Sequence, residues 1–169
     1  PGVDFSNRTM ELSAYGKDLT SASLSGSTFL WPSTFEYTNL TDANLSGGNF
    51  SDLNFGSANL TGADLSDANL SGAWFNSSTI WPDGFDYLKS GARGPGVDFS
   101  NRTMELGAYG KDLTSANLSG STFPRPSTFQ YANLRIADLT EGNFSALNFS
   151  SSNLSGAKLD GADFTDAIF

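Results

Sequence analysis

Asp42, Asp52, Asp64 and Asp67 lie close together in the chain, and grouped carboxylates are what general acid/base chemistry and calcium coordination both use. The surrounding pattern supports neither use. No EF-hand loop is present, and Gly47-Gly48-Asn49-Phe50-Ser51-Asp52 begins like a calcium-binding nonapeptide but places Phe50 where glycine is needed. The 169 residues include no His and no Cys, so Ser/His/Asp and Cys/His nucleophile systems, zinc fingers, iron-sulfur ligation and disulfides are excluded. The expectation is a protein that is not an enzyme, with no catalytic residue, no cofactor and no metal. Asn-X-Ser/Thr triplets such as Asn7-Arg8-Thr9, Asn44-Leu45-Ser46 and Asn69-Leu70-Ser71 follow from a repeat and are not evidence of glycosylation.

Eighteen Asp or Glu stand against nine Lys or Arg, giving a net charge of −9 and a pI near 4.2. Affinity for nucleic acid comes mainly from clustered Lys and Arg, so no nucleic-acid partner is expected, and no anionic membrane. No apolar run approaches the length of a membrane-spanning helix. Pro1 to Met10 lacks the basic-then-apolar order of a signal peptide. The opening Pro1-Gly2-Val3-Asp4-Phe5 recurs at Pro95-Gly96-Val97-Asp98-Phe99, which suggests a segment cut at a repeat boundary from a longer tandem-repeat protein. Its compartment stays open: cytoplasmic, or secreted or surface-bound as part of that larger protein.

The elements that must position these residues come from two repeats, one inside the other. Residues 1–75 and 95–169 align without a gap and are identical at 52 of 75 positions, which indicates tandem duplication. The expected organisation is a first unit at 1–75, a connector at 76–94 and a second unit at 95–169. Within the first unit a period of five is set by Phe35, Leu40, Leu45, Phe50, Phe55, Leu60, Leu65, Leu70 and Phe75, continuing to Ile80. Phe129, Leu134, Leu139, Phe144, Phe149, Leu154, Leu159, Phe164 and Phe169 repeat it in the second. Two residues before each centre stands mostly Ala, Gly or Ser, and one before it mostly Asn or Asp.

A period of five fits neither an α-helix nor a flat strand. It fits a backbone that turns a corner every five residues, with each centre pointing inward and Asn or Asp serving the corners. Four sides give about 20 residues per coil, with coils stacked at the inter-strand spacing of about 4.8 Å. Columns of residues 20 apart support four sides: Phe35, Phe55 and Phe75 in one, Leu40, Leu60 and Ile80 in another. The Phe columns are therefore core rather than a platform for stacking bases.

Ala43-Asn44-Leu45-Ser46-Gly47, Ala58-Asn59-Leu60-Thr61-Gly62 and Ala63-Asp64-Leu65-Ser66-Asp67 resemble the A(N/D)LXX pattern of the pentapeptide repeat family. That resemblance implies an all-β fold, a right-handed quadrilateral β-helix. The stretch Thr79-Ile80-Trp81-Pro82-Asp83-Gly84-Phe85-Asp86 is similar to the WPxGFD segment that closes repeats in many bacterial members. Phe85 is read as still in register, and Trp81, Pro82, Tyr87 and Leu88 as a loop or cap over apolar coil ends; of one rod or two bodies, one continuous rod with a protruding loop is the favoured arrangement. Bulged corners are expected at Leu30-Trp31-Pro32 and Pro124-Arg125-Pro126, where the step is six. A distorted corner is expected between Met10 and Leu19. Leu53 and Leu147 imply a locally wider coil or a rotated side chain, and Trp31, Trp74 and Trp81, which lie off the centres, are expected to be partly exposed.

Three functional readings follow. The first is a rigid structural or protein-interaction module whose protein partner is unknown. The second comes from the resemblance: some pentapeptide repeat proteins mimic DNA and bind DNA gyrase or other type II topoisomerases. Four basic against ten acidic side chains in residues 1–94, and five against eight in 95–169, supply acidity too sparse for a duplex-like density. The third is a hydroxyl ladder of Thr41, Thr61, Ser46 and Ser66 facing ice or polysaccharide. An inward-facing aromatic coil open at Phe169 also predicts end-to-end self-association or a local rearrangement there.

Overall fold

A hydrophobic centre every fifth residue needs a corner between centres, and one device makes nearly all of them. In the computed structural model, which describes residues 1–169, the amide three residues after a centre bonds back to that centre's carbonyl. Ala43 N reaches Leu40 O at 3.0 Å, Ala63 N reaches Leu60 O at 2.9 Å and Ala137 N reaches Leu134 O at 3.0 Å. The residue two after the centre has positive φ, as at Asp42 (55°), Gly62 (69°) and Asp67 (55°). These are type II turns. The corner therefore falls after the centre, not on the Asn or Asp before it. Those side chains hold the approach instead: Asn39 Oδ1 accepts the Thr41 amide at 3.2 Å and Asp64 Oδ1 accepts the Ser66 amide at 2.9 Å.

After each circuit the chain returns parallel to itself. Asn39 pairs with Asn59, Asn44 with Asp64, Asn49 with Asn69 and Asn54 with Trp74, while Asn133 pairs with Asn153 and Asn143 with Asp163. Nearer the start of each repeat the step varies, as in Asp4 with Ser23 and Ser13 with Thr34. Pairing extends over two residues only where β1 (Thr9–Met10) lies parallel to β2 (Thr28–Phe29). The chain is all-β, with no α-helix and one 3₁₀ turn at Tyr87–Lys89.

Two compact units result, Pro1–Arg93 and Gly94–Phe169. The stretch read as a connector belongs up to Arg93 to the first unit, because it pairs there. Leu60 N bonds to Ile80 O at 2.7 Å, Gly72 N to Gly91 O at 2.9 Å and Phe75 N to Arg93 O at 3.0 Å.

In the first unit Phe35, Leu40, Leu45, Phe50, Phe55, Leu60, Leu65, Leu70 and Phe75 are buried. Phe35 stacks on Phe55 at 5.2 Å and Phe29 on Phe50 at 5.1 Å, and Phe29 meets Phe35 edge-on at 5.1 Å. Each such pair contributes about 0.5–1.5 kcal/mol beyond its burial. The nine-residue gap before Leu19 holds a small centre: Ala14 is buried, and its amide bonds to Thr34 O just as that of Phe35 bonds to Asn54 O. Ile80 departs from its expected place and is 53% exposed. Its pairing with Asn59 puts it where the outward Asn stands in other circuits, so the register slips by one and Trp81 follows Leu60. Leu53 is accommodated in the core, and its turn bond to Phe50 O lengthens to 3.4 Å. Leu147 does the same, at 3.3 Å to Phe144 O.

In the second unit Phe129, Leu134, Leu139, Phe144 and Phe149 are buried, and Leu154 and Phe164 are half-buried. Leu159 is 42% and Phe169 65% exposed, which departs from a uniformly buried series. Both lie in the last circuit and pair with the one before it: Phe169 stacks on Phe149 at 5.6 Å and Phe164 on Phe144 at 5.3 Å. At both six-residue steps the turn closes one residue late, Ser33 N to Leu30 O at 2.9 Å and Ser127 N to Pro124 O at 3.0 Å. The extra residue is pushed outward. The peptides Trp31-Pro32 and Arg125-Pro126 in these corners are cis.

Candidate interaction surface

The carboxylates that opened the question of chemistry are kept apart by the fold. Asp42, Asp52 and Asp67 occupy corners of three different columns, since the Asp42 amide meets Thr61 O, that of Asp52 meets Ser71 O and that of Gly47 meets Ser66 O beside Asp67. Asp64 lies on a flat side and bonds locally. No three carboxylates converge as a metal site. Asp42 packs instead against the next circuit, where a Cβ on Gly62 would collide with its Oδ1.

The outward hydroxyls of Thr41, Ser46 and Thr61 are similarly occupied. Thr41 Oγ1 donates to Asn39 Oδ1 at 2.6 Å, Ser46 Oγ to Asn44 Oδ1 at 2.7 Å and Thr61 Oγ1 to Asn59 Oδ1 at 2.7 Å. A ladder meant to donate hydrogen bonds to ice or sugar would need these protons free. Where Asp replaces Asn in this position, the same bonds favour the anion. Hydrogen bonds from Thr140, then the Lys158 ammonium 3.2 Å away, hold the Asp138 carboxyl below its ordinary value. Ser66 does this for Asp64 and Thr165 for Asp163.

The loop residues form an aromatic cluster. Trp81 meets Phe75 edge-on at 5.6 Å, Tyr87 meets Phe75 at 5.3 Å, and Trp81 is stacked against both Phe85 (5.4 Å) and Tyr87 (5.8 Å). Phe85 is out of register: its amide bonds to Pro82 O at 3.1 Å within a local turn, because Pro82 and Gly84 take the chain away from the ladder. Leu88 is exposed. Trp81 Nε1 is buried without a hydrogen-bond partner.

Surface aromatics separate into two kinds. Trp74 is only 8% exposed, against the expectation, with the Arg93 guanidinium 5.9 Å from its ring centroid. Trp31 is 88% exposed, on the bulged corner. The reading of the sequence missed two exposed tyrosine pairs, Tyr15 with Tyr37 (5.2 Å) and Tyr109 with Tyr131 (5.3 Å). Tyr37 and Tyr131 occupy left-handed corners (58° and 59°), a conformation unusual for an aromatic residue. The available signal was the persistence of tyrosine between neighbours that change from Glu36 to Gln130 and from Thr38 to Ala132.

A match to the family described as Pentapeptide repeats, in eight copies, covers residues 38–76 and 127–169. No curated protein matches the chain. Among solved structures, alr5209, a pentapeptide repeat protein from Nostoc PCC 7120, is 25% identical over 55% of this chain and 81% of its own, with a TM-score of 0.42. HetL, a pentapeptide repeat protein involved in heterocyst differentiation regulation in Nostoc sp. strain PCC 7120, is 22% identical over 99% and 87%, with a TM-score of 0.38. Full-length QnrB1, a plasmid-mediated fluoroquinolone resistance protein, is 21% identical over 95% and 92%, with a TM-score of 0.34. No helix is long and apolar enough to cross a membrane.

Proposed function

Because the chain is built of the repeats of the pentapeptide family, we propose that it is a right-handed quadrilateral β-helix of about 20 residues per coil that works as a non-catalytic structural or protein-interaction module. The observation that carries this reading is the way the outward polar groups are spent. Asn, Asp, Ser and Thr of the flat sides bond to one another and to their own backbone, which leaves a stiff scaffold. What that scaffold displays is exposed side chains at its corners, aromatic at Trp31, Tyr37 and Tyr131 and charged at Asp42, Asp52 and Asp67.

The competing reading, a DNA mimic that binds gyrase, has net acidity in its favour. A gyrase supercoiling assay titrated with the protein, with and without a quinolone, separates the two. No effect is expected up to about 10 μM, well above the affinity range of a specific inhibitor. Inhibition or quinolone protection at or below micromolar concentration would overturn the module reading. End-to-end self-association through the coil of Leu159 and Phe169 forms part of the same proposal, since an exposed apolar patch tends to find a partner. Sedimentation velocity should show concentration-dependent mass that Phe169→Ser abolishes, and a strictly monomeric protein would remove this part.

A further inference from the structure

The bulged corner of the first unit carries Leu30 and Trp31 outward, with the indole 88% exposed and the neighbouring Leu30 exposed as well. The pairing register identifies what stands on either side. Leu30 N bonds to Met10 O and Thr34 N to Leu12 O, so the corner lies beside Glu11 in the preceding circuit. Phe29 N bonds to Asn49 O and Phe35 N to Asn54 O, so it lies beside Asp52 in the next. Both carboxylates are exposed, and that of Asp52 leans toward Gly72 of the following circuit, where the Arg93 guanidinium also lies. In the second unit Arg125 takes the place of Trp31, and its Nη2 donates to the carbonyl of Ala146, the residue at the place of Asp52. The duplicated corner thus offers an apolar knob with an acidic rim in one unit and a cation in the other.

We propose that Leu30 and Trp31, bracketed by Glu11 and Asp52, form a knob that seats in an apolar pocket with a basic rim on a partner protein, and that the second unit does not share this partner. The proposal rests on the reading of the chain as an interaction module. Three features support it. Indole is the side chain that gives most to a desolvated interface pocket. The knob stands on a corner closed by backbone bonds, so little ordering entropy opposes docking. The flanking charge selects a rim of opposite sign and disfavours an acidic one.

The chemistry can be tested with a defined host. Neutral β-cyclodextrin and its fully 6-aminated derivative share an indole-sized apolar cavity, and the second adds a ring of ammonium groups. The intact chain should bind the aminated host on the order of threefold more tightly than the neutral one at low salt, as expected for exposed ion pairs. The preference should disappear at 0.5 M salt, where such pairs are screened. Trp31→Arg should weaken binding to both hosts to the level that the exposed tyrosines and Phe169 support, without moving the unfolding midpoint, and Glu11→Gln with Asp52→Asn should remove the preference but keep the neutral affinity. Equal affinity of the parent chain for the two hosts at low salt, or an affinity that Trp31→Arg leaves unchanged, would overturn the proposal. Trp31-dependent binding to phosphatidylcholine vesicles without a host preference would overturn it in favour of a lipid interface. Failure in any of these arms leaves the supercoiling result untouched, so the knob can fall while the module stands.

Discussion

In the first unit the ring of Phe75 is closed over by Trp81 and Tyr87, and no phenylalanine stacks beyond it. In the second unit the ladder runs on from Phe129 through Phe149 to Phe169 with near-parallel rings, and the last ring is 65% exposed. The aligned repeats are identical at 52 of 75 positions, and the rings that close over Phe75 come from 76–94, the stretch that follows the first of them. A residue that points inward in a five-residue pattern is one member of a stack, and a stack offers the same apolar face at every level. Closing it takes residues outside the pattern. Here an indole and a phenol meet the Phe75 ring at 79° and 72°, on a loop that Pro82 and Gly84 turn out of register.

The largest expected test of this contrast is at its two ends. Phe75→Ala should destabilise the first unit by about 3 kcal/mol or more, whereas Phe169→Ala should cost less than about 1 kcal/mol in the second. All three tryptophans lie in the first unit, so urea unfolding followed by tryptophan fluorescence reports that unit, and far-UV circular dichroism covers both. Equal costs would show that the aromatic cluster is not a closure. Gly62→Ala and its equivalent Gly156→Ala come next, at about 2 kcal/mol each. Both glycines have positive φ, and a new Cβ would meet Asp42 in one unit and Ile136 Cγ2, at 3.1 Å, in the other. A neutral effect of either would break the equivalence of the two corners.

Ile136 supplies a smaller and opposite effect. It is β-branched with φ of 52°, where the first unit has Asp42, so Ile136→Asp should stabilise the second unit by about 0.5–1 kcal/mol. A loss of stability would mean that its side chain does more packing than strain. The smallest effect concerns acid. The folded-state pKa of Asp138 lies below its unfolded value, so its contribution is fully present above the ordinary carboxylate range and is lost as pH falls through the depressed folded value. Asp138→Asn keeps the acceptor for Thr140 but not the charge that faces Lys158. Unfolding midpoints from pH 7 to 2.5 should therefore fall less steeply in the variant, and an unchanged slope would discard the assignment.

Which residues face inward was legible from the spacing of Phe and Leu alone, because burial follows the five-residue period. The corner itself was less so. The left-handed position is filled by Gly62 in one circuit but by Asp42, Tyr37 or Ile136 in others, so residue type does not mark it consistently. Ala14 escaped notice as a centre because a single methyl in an aromatic column looks like the small residue that normally precedes one. The exchange of Ile80 for Trp81 turns on a one-residue slip in pairing with Asn59, which no spacing rule separates from a regular step. The exposed knob at Trp31 was visible as an off-period residue, but its acidic neighbours come from other circuits and needed the register to find them.

The parallel pairing described for each unit also fixes how far a disturbance can travel. Asn39 meets Asn59 and Asn133 meets Asn153, so a residue is held by the circuits just before and just after its own. Substitutions two or more circuits apart within one unit share no partner, and their effects should simply add. The sequence distance across each contact also stays the same however many circuits are laid down. Such a chain can gain or lose whole circuits without lengthening the loop that any one contact must close.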